Sequence, residues 1–509
     1  MASETSTKIE WGQRVPQPEA LALIPEVMAR KFKVIPMEIN DNTIVVAMAN
    51  PSDIFAIEAL STRTQKRIEP YAVTEKEVME AIDFNYKGYA DIEKQISDIG
   101  QTKRSSNAVK VSEDSAIIDN ITNTPVVQGL TLIIDEAVKA RASDIHLQPQ
   151  EHNLRVRYRI DGTLYDMFAL PLETISPLCS RIKIMSGMNI ADHHRPQDGH
   201  FSINAKGRLL DVRVGTVPTV YGEMVALRLL DKSRVNLSLT ELGFMPDSLK
   251  IYDEMLKSPY GMILVSGPTG AGKTTTLYAS IDKLDHKAQN IITIEDPVEY
   301  RFKNINQIQV NTRAEVTFAA GLRSILRLDP DVILVGEIRD AETAGIAVQA
   351  ALTGHLVLSS IHANDTAGAV VRLMDLGVEP FLVSSALIGV IAQRMVRRVC
   401  SNCARPVKAP ILEQLAYKKE MGEEKEEFQY GKGCRVCSNT GYHGRSGIFE
   451  IMRISDKMRM MMLNREELAH LRSQAFEEGM ISLLKDGMQK AREGITTPYE
   501  VLRNTYTSE

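Results

Sequence analysis

The sequence predicts an α/β protein whose central part is a parallel sheet with crossover helices. Three observations carry this expectation. The apolar run Met262-Ile263-Leu264-Val265 is followed by the glycine-rich Gly267-Pro268-Thr269-Gly270-Ala271-Gly272-Lys273-Thr274, and then by a helical stretch from Thr275 to Leu284 with Leu277, Tyr278 and Ile281 on one face. Two further apolar runs, Ile291–Ile294 and Val332–Val335, each lead into acidic residues. A third, Leu356-Val357-Leu358, lies between His355 and His362. Strands alternating with helices imply parallel order, and such a sheet binds ligands at the carboxyl ends of its strands.

At 509 residues the chain is too long for a single core, and three or four domains are expected. Hydrophobic residues make up 44% and charged residues 25%, the balance of a soluble globular protein. A net charge of −5 argues against a dedicated nucleic-acid coat. No apolar run reaches the roughly 18 residues a membrane span needs, and Met1–Lys8 has no apolar signal core. A cytoplasmic protein is expected, one that serves a membrane only by docking. Of the five cysteines, Cys400/Cys403 and Cys434/Cys437 form two pairs and Cys179 stands alone.

Residues 1–95 read as a small α/β docking domain. Pro18 to Lys33 has helical periodicity, with Leu21, Ile24, Met28 and Phe32 on one side. Thr43–Met48 is strand-like, Asn50-Pro51-Ser52-Asp53 is a turn that caps a helix from Ile54, and Val73 to Tyr86 is helical again. Residues 96–114 have linker composition. Residues 115–240 form a second domain, with a helix from Pro125 to Ala140 and strands at Ile145–Leu147, Leu154–Ile160 and Arg208–Val214. The second strand turns at Asp161-Gly162 and sets Arg155, Arg157 and Arg159 on one face. Such charges usually form a solvated strand face. Residues 241–398 are the nucleotide-binding part, 399–446 the four-cysteine insert with a helix-prone stretch from Glu413 to Glu427, and 447–509 a helical region broken at Gly479 and Gly494.

The chemistry follows from the strand ends. Gly267 to Thr274 has the spacing of a phosphate-binding loop. Glycines let backbone N–H groups converge on phosphate at a helix N-terminus, Lys273 reaches the β- and γ-phosphates of ATP, and Thr274, followed by Thr275, ligates Mg²⁺. In Ile294-Glu295-Asp296-Pro297-Val298-Glu299, Glu295 is the first carboxylate off the strand and the expected general base, with Glu299 in reserve. Glu337, one glycine past Val332–Val335, resembles an atypical Walker B acid that positions the metal, while Asp331 stands at the wrong end and is structural. His362, at the carboxyl end of its strand, is the expected γ-phosphate sensor, and His355 ties loops together. Cys400, Cys403, Cys434 and Cys437, paired as Cys-x-x-Cys, suit a closed tetrahedral Zn²⁺ site rather than a redox pair.

The order of these motifs, with Glu337-Ile338-Arg339-Asp340, Gln393-Arg394-Met395-Val396-Arg397-Arg398 and the four cysteines, resembles the type II/type IV secretion ATPase superfamily. Within it the chain is similar to type II secretion ATPases (general secretory pathway protein E) and type IV pilus assembly ATPases. Ser143-Asp144-Ile145-His146 and Arg157–Gly162 look like the domain that precedes the motor in that family. The resemblance implies a RecA-like P-loop motor preceded by two small α/β domains, the second PAS-like. It implies a homo-hexamer that is peripheral at the inner face of the cell membrane. There it would hydrolyse ATP to drive pilus or pseudopilus assembly through a polytopic inner-membrane platform protein and other secretion or pilus components. It further implies that Arg157 or Arg159 reaches the γ-phosphate, with Arg323 and Arg327 as additional candidates. The amino-terminal module and the cysteine insert, which retraction ATPases lack, favour assembly. Some members carry a longer amino-terminal module that binds a cyclic dinucleotide; only the part near Ala20 to Tyr86 has the family pattern here, so that ligand is not expected. The alternative is a nucleic-acid translocase or helicase of the RecA-like class. The net charge and the lack of a basic-aromatic tract weigh against it, and no nucleic-acid partner is expected.

Overall fold

In a computed structural model of the chain, residues 16–75, 77–79, 81–82, 86, 125–231 and 238–505 are described. They belong to two units, Met1–Ser233 and Arg234–Glu509.

The first unit holds two sheets. β1 (Val34–Asn40), β2 (Thr43–Met48) and β3 (Arg67–Ala72) form the smaller, with β1 and β2 antiparallel and β2 and β3 parallel. The crossover between β2 and β3 is the helix Ile54–Thr64, whose first turn is capped by Asp53 accepting from the Ala56 N–H at 3.0 Å. Ile24, Ile35, Ile44, Met48 and Leu60 are its buried core. The helix expected from Pro18 to Lys33 is two helices, Pro18–Leu23 and Glu26–Phe32. Pro25 is the reason: a proline pushes its predecessor out of the helical region, and Ile24 is extended at φ −118°. Of the helix expected from Val73 to Tyr86, residues 75, 77–79, 81–82 and 86 are helical. The expected linker at 96–114 lies outside the described residues.

The larger sheet is antiparallel, in the order β6-β5-β4-β9-β8-β7. Its strands are β4 (Ala142–Pro149), β5 (Asn153–Ile160), β6 (Thr163–Pro171), β7 (Gln197–Ala205), β8 (Arg208–Thr219) and β9 (Gly222–Asp231). Strand alternation sends Leu154, Val156, Tyr158 and Ile160 inward. They join Leu130, Ile133 and Ile134 of the helix Pro125–Lys139 and Leu178 and Ile182 of the helix Ile175–Met185. The buried Tyr158 hydroxyl donates to the Ile133 carbonyl at 2.6 Å, so burying the ring strands no polar group. Arg155, Arg157 and Arg159 take the opposite face.

The second unit is organised by a seven-stranded sheet in the order β12-β11-β13-β14-β10-β15-β18. Its strands are β10 (Gly261–Ser266), β11 (Ile291–Glu295), β12 (Asn306–Gln309), β13 (Val332–Val335), β14 (Leu356–Ile361), β15 (Leu387–Val399) and β18 (Tyr442–Arg453). Six are parallel, and β18 runs antiparallel to β15. The sheet therefore does not end at residue 398: its last strand comes from beyond the cysteines. β10, β13 and β14 are buried throughout, as strands covered by helices on both faces should be, and the two buried serines of β14, Ser359 and Ser360, donate to the Val335 and Gly336 carbonyls. Asp331 accepts from the Asn290 N–H at 2.7 Å and ties together the starts of β11 and β13.

Between β15 and β18 sits a small module, with the antiparallel pair β16 (Ala404–Lys408) and β17 (Glu427–Gly431) and the helix Ile411–Met421. That helix is shorter than the stretch expected to Glu427, because Gly422 ends it in the left-handed region at φ 72°. Tyr417 and Phe428 of this module share a core with Met488, Ala491 and Val501 of the carboxyl-terminal helices Leu483–Arg492 and Pro498–Thr505. Gly479 and Gly494 break the terminal helices, both at positive φ.

Candidate nucleotide site and cysteine cluster

β10 delivers the chain into the loop 267–272, and the helix Lys273–Asp282 leaves it. The glycines have identifiable tasks. Gly267 has φ 151°, and a Cβ there would lie 2.6 Å from the Gln393 carbonyl oxygen. Gly272, at φ 87°, turns the chain into the helix. Pro268, Thr269 and Gly270 are exposed and Ala271 is buried. Lys273 Nζ donates to the carbonyls of Gly267 at 2.7 Å and Pro268 at 3.2 Å, so the lysine lies along its own loop. Burial lowers its pKa, the nearby Glu337 opposes this, and Arg394 adds to it. Thr274 is exposed beside it and Thr275 half-buried. Loop N–H groups, an ammonium and a free hydroxyl at a helix N-terminus fit a nucleotide phosphate with its Mg²⁺.

The neighbouring strand ends bring Glu337 and His362 to this edge. Gly336 is closely packed: a Cβ there would meet the Glu295 Cα at 3.3 Å, a tight contact. The loop after β13 is pinned to β14, since Ser360 Oγ donates to the Gly336 carbonyl at 2.8 Å and the Ile338 N–H to the Ser360 carbonyl at 2.9 Å. Glu337 is thereby held with one oxygen 2.6 Å from the Arg339 guanidinium and the other 3.6 Å from His362 Nε2. His355, at the other end of β14, faces the Ala350 carbonyl through Nδ1 at 2.9 Å and caps a helix end.

Glu295 is in a different setting from an exposed base. It is 2% exposed. It accepts from the Tyr278 hydroxyl, from Thr293 Oγ1 at 2.6 Å and from Gln307 Nε2 at 3.2 Å. Burial, then Glu295 itself, raises the Tyr278 pKa, so the phenol keeps its proton and donates. The same hydroxyl accepts from the Glu299 N–H at 3.2 Å. Glu299, half-buried, is thus tied through its backbone to the acid it follows.

The arginines do not converge. Arg155 and Arg157 pair with Asp166 on the outer sheet face of the first unit, and Arg159 lies 3.6 Å from Asp144. Arg323, on the helix Phe318–Ile325, pairs with Glu342, and Arg327 is exposed beyond that helix. The helix leads into the start of β13, while Glu342, the partner of Arg323, stands in the first turn of the helix Ala341–Leu352 that follows β13. Arg339, Tyr278, Gln393 and Arg394 are not identifiable as site residues from sequence chemistry; the signal for Arg339, Gln393 and Arg394 is their place in family-like runs.

The four cysteine sulfurs all lie within 4.8 Å of one another. Cys400–Cys434, Cys403–Cys437 and Cys434–Cys437 are 3.8, 3.9 and 3.7 Å apart. A tetrahedral ion with Zn–S bonds of about 2.3 Å needs sulfur–sulfur edges of about 3.8 Å. The donor set fits a structural metal such as zinc with no open position.

A glycine loop after a central parallel strand, a lysine opening the next helix, and an acid and a histidine at adjacent strand ends define a P-loop nucleoside-triphosphatase domain. The chain belongs to the type II/IV secretion system protein family, whose model matches residues 119–503. A second model, the MshEN domain, matches residues 9–88. The chain is 41% identical over 503 residues to the type IV pilus assembly ATPase PilB of Myxococcus xanthus (strain DK1622), covering 96% of this chain and 87% of that one. It is also 41% identical over 495 residues to the type II secretion system protein E of Klebsiella pneumoniae, covering 96% and 98%. The fold resembles the solved ATPase DotB of Legionella pneumophila, at a TM-score of 0.55 and 20% identity over 73% of this chain and 94% of that one. The chain is an ATP-hydrolysing member of the group that serves type II secretion and type IV pilus assembly. The nucleic-acid translocase reading finds no support among these matches. Among the described residues no helix is long and apolar enough to cross a membrane.

Proposed function

We propose that this chain works as a homo-hexamer docked at the inner face of the cell membrane, where it turns over ATP to drive a polytopic platform protein that assembles a pilus or pseudopilus. The observation that supports this most is the meeting of Lys273, Glu337 and His362 at one sheet edge, in a chain alike over nearly its whole length to a pilus assembly ATPase and a secretion protein E. Loop N–H groups and Lys273 bind the β- and γ-phosphate oxygens, while Thr274 and Glu337 would hold Mg²⁺, which would neutralise charge on the phosphates. Glu299 takes the proton of the attacking water as the bond from the γ-phosphorus to its bridging oxygen breaks, releasing ADP and phosphate. Glu295 was the expected base, but a carboxylate buried beneath three donors would have to give them up to take that proton; it positions Tyr278 and, through it, Glu299. His362 reads the γ-phosphate alongside Glu337. Arg157 or Arg159 contacts the γ-phosphate, with Arg323 and Arg327 as further candidates for that contact. The four cysteines hold Zn²⁺ as a structural ion.

Capture from the native host tests this. Tagged Glu299→Gln protein, loaded with ATP, should co-purify a polytopic membrane protein. Pilus subunits recovered with it would place the chain in pilus extension, and secretin-linked components in protein export. Recovery of DNA-processing proteins, with turnover stimulated by DNA, would overturn the proposal.

A further inference from the structure

We propose that Gln393 is the positioning residue that presets the phosphate loop for nucleotide. The inference rests on the ATPase reading of the site and assigns a residue that the loop motif does not contain. Gln393 lies on β15, is 1% exposed, and sits just beyond the point where Ala392 pairs with Ser266 of β10. Its side-chain amide is satisfied at both ends by the loop and the helix that follows. Nε2 donates to the Ala271 carbonyl at 2.6 Å, and Oε1 accepts from Thr276 Oγ1 at 2.8 Å. A carbonyl only accepts, so the amide can have only this orientation, and Thr276 must be the donor.

The consequence is geometric. Ala271 stands between Gly270 at φ 79° and Gly272 at φ 87°, two residues whose backbones could rotate widely. The Ala271 C=O and the Gly272 N–H belong to one planar trans peptide and point in opposite directions. Holding the carbonyl down onto Gln393 therefore turns the Gly272 N–H away from β15, toward the side where Thr269 and Gly270 are exposed. The main-chain carbonyl of Gln393 limits the loop's other end at Gly267. The loop is thus ordered by a neighbouring strand, and nucleotide need not supply that ordering.

The test uses the full chain and three variants. Gln393→Met removes both hydrogen bonds at similar volume, Thr276→Val removes the facing hydroxyl, and the third combines them. MgATP affinity is read by titration calorimetry and by the rise in melting temperature with nucleotide, with steady-state KM and kcat alongside. Each single variant should weaken MgATP binding and raise KM about tenfold, with kcat changed less than about threefold, the pattern of lost uniform binding. The double variant should bind no worse than Gln393→Met, because the two residues share one interaction. A residue needed only for folding would lower the melting temperature without nucleotide and leave affinity alone. Affinities within about twofold of the parent in both single variants, or losses that multiply in the double, overturn the proposal. If Gln393→Met does not fold, Thr276→Val decides alone. Lys273→Ala is the control: if it binds MgATP as the parent does, the nucleotide-site reading has failed rather than the role of Gln393.

Discussion

Changing Glu295, the last residue of β11, and Glu299, in the loop after it, each to glutamine should give opposite phenotypes. Glu295 is 2% exposed and accepts from Tyr278, Thr293 and Gln307. In Glu295→Gln, charge-assisted bonds worth about 1.5–3 kcal/mol become neutral ones worth about 0.5–1.5. The new NH₂ must also face a hydroxyl or amide that was donating. A net loss of about 2–3 kcal/mol is expected, and at about 2–4 °C per kcal/mol the melting temperature should fall by about 5–10 °C. Turnover falls too, but only because the Tyr278 hydroxyl no longer holds the Glu299 backbone. Glu299→Gln changes a half-buried side chain whose backbone N–H, not its carboxylate, meets the Tyr278 hydroxyl. It should melt within about 2 °C of the parent, bind ATP normally, and lose about 10²- to 10⁴-fold in kcat, the range for removing a general base. Calorimetric melting, titration with ATP and steady-state hydrolysis on the two purified variants decide the matter. The reasoning is refuted if Glu295→Gln loses hydrolysis more than a hundredfold at parental melting temperature while Glu299→Gln keeps about a third or more of the parental rate.

Three other outcomes are expected. Tyr278→Phe keeps the ring and removes the hydroxyl between Glu295 and the Glu299 N–H; kcat should fall about tenfold with ATP affinity retained, as for a group that positions the base rather than being it, and steady-state kinetics check this. Lys490→Met leaves Asp486, 1% exposed, without its cation, at a cost of about 3–5 kcal/mol seen as a lower melting temperature. Burial already raises the Asp486 pKa against the pull of Lys490, so in the variant the folded state keeps a proton that the unfolded chain releases near pH 4; the loss should be smallest in acid and grow as pH rises through the folded pKa, which melting curves across pH would show. Metal-loaded protein should show no fast-reacting thiol, because Cys179 is 2% exposed and burial beside Glu223 pushes its thiol up to about 12. Chelation should release zinc, expose the four other cysteines to a thiol reagent and leave MgATP affinity unchanged; folded protein isolated without chelator that carries no zinc and already has four reactive thiols would contradict the metal assignment.

What the sequence made legible was local. Val332–Val335, Thr43–Met48 and the glycine loop are readable because an apolar run or a spaced glycine set marks each without reference to anything distant. Pro25 is equally visible, but the periodicity of Leu21, Ile24, Met28 and Phe32 runs straight across it, and in the fold the backbone restriction wins. β18 was not legible because its partner β15 lies across the whole cysteine insert, and no spacing rule links them. The setting of Glu295 is the same kind of problem. Its three donors come from a helix, its own strand and β12, so an acid at a strand tip looks catalytic until the tertiary contacts are known. The arginines Arg323 and Arg327 show the reverse case, in which four-residue spacing puts two cations on one stretch but says nothing of which sheet edge that stretch reaches.

The topology also explains why the cysteine module should matter to work output more than to nucleotide binding. It is inserted between two adjacent strands whose roots both lie at the nucleotide edge. On the outward strand, Gln393 braces the loop, and Cys400 follows seven residues later, about 23 Å along an extended chain. On the returning strand, the buried Glu450 lies opposite Ala392 and accepts from the Thr366 N–H at 3.1 Å and its hydroxyl at 2.6 Å, fixing the helix that begins just after His362. The strand pair is hydrogen-bonded along this length and stays ordered without metal at its root. The tip is different: Tyr417 and Phe428 meet the terminal helices from the module that carries β16 and β17, which the cysteine knuckles flank. Removal of an ion held by the four cysteines should therefore loosen the contact between this module and the terminal helices and spare the loop that binds ATP.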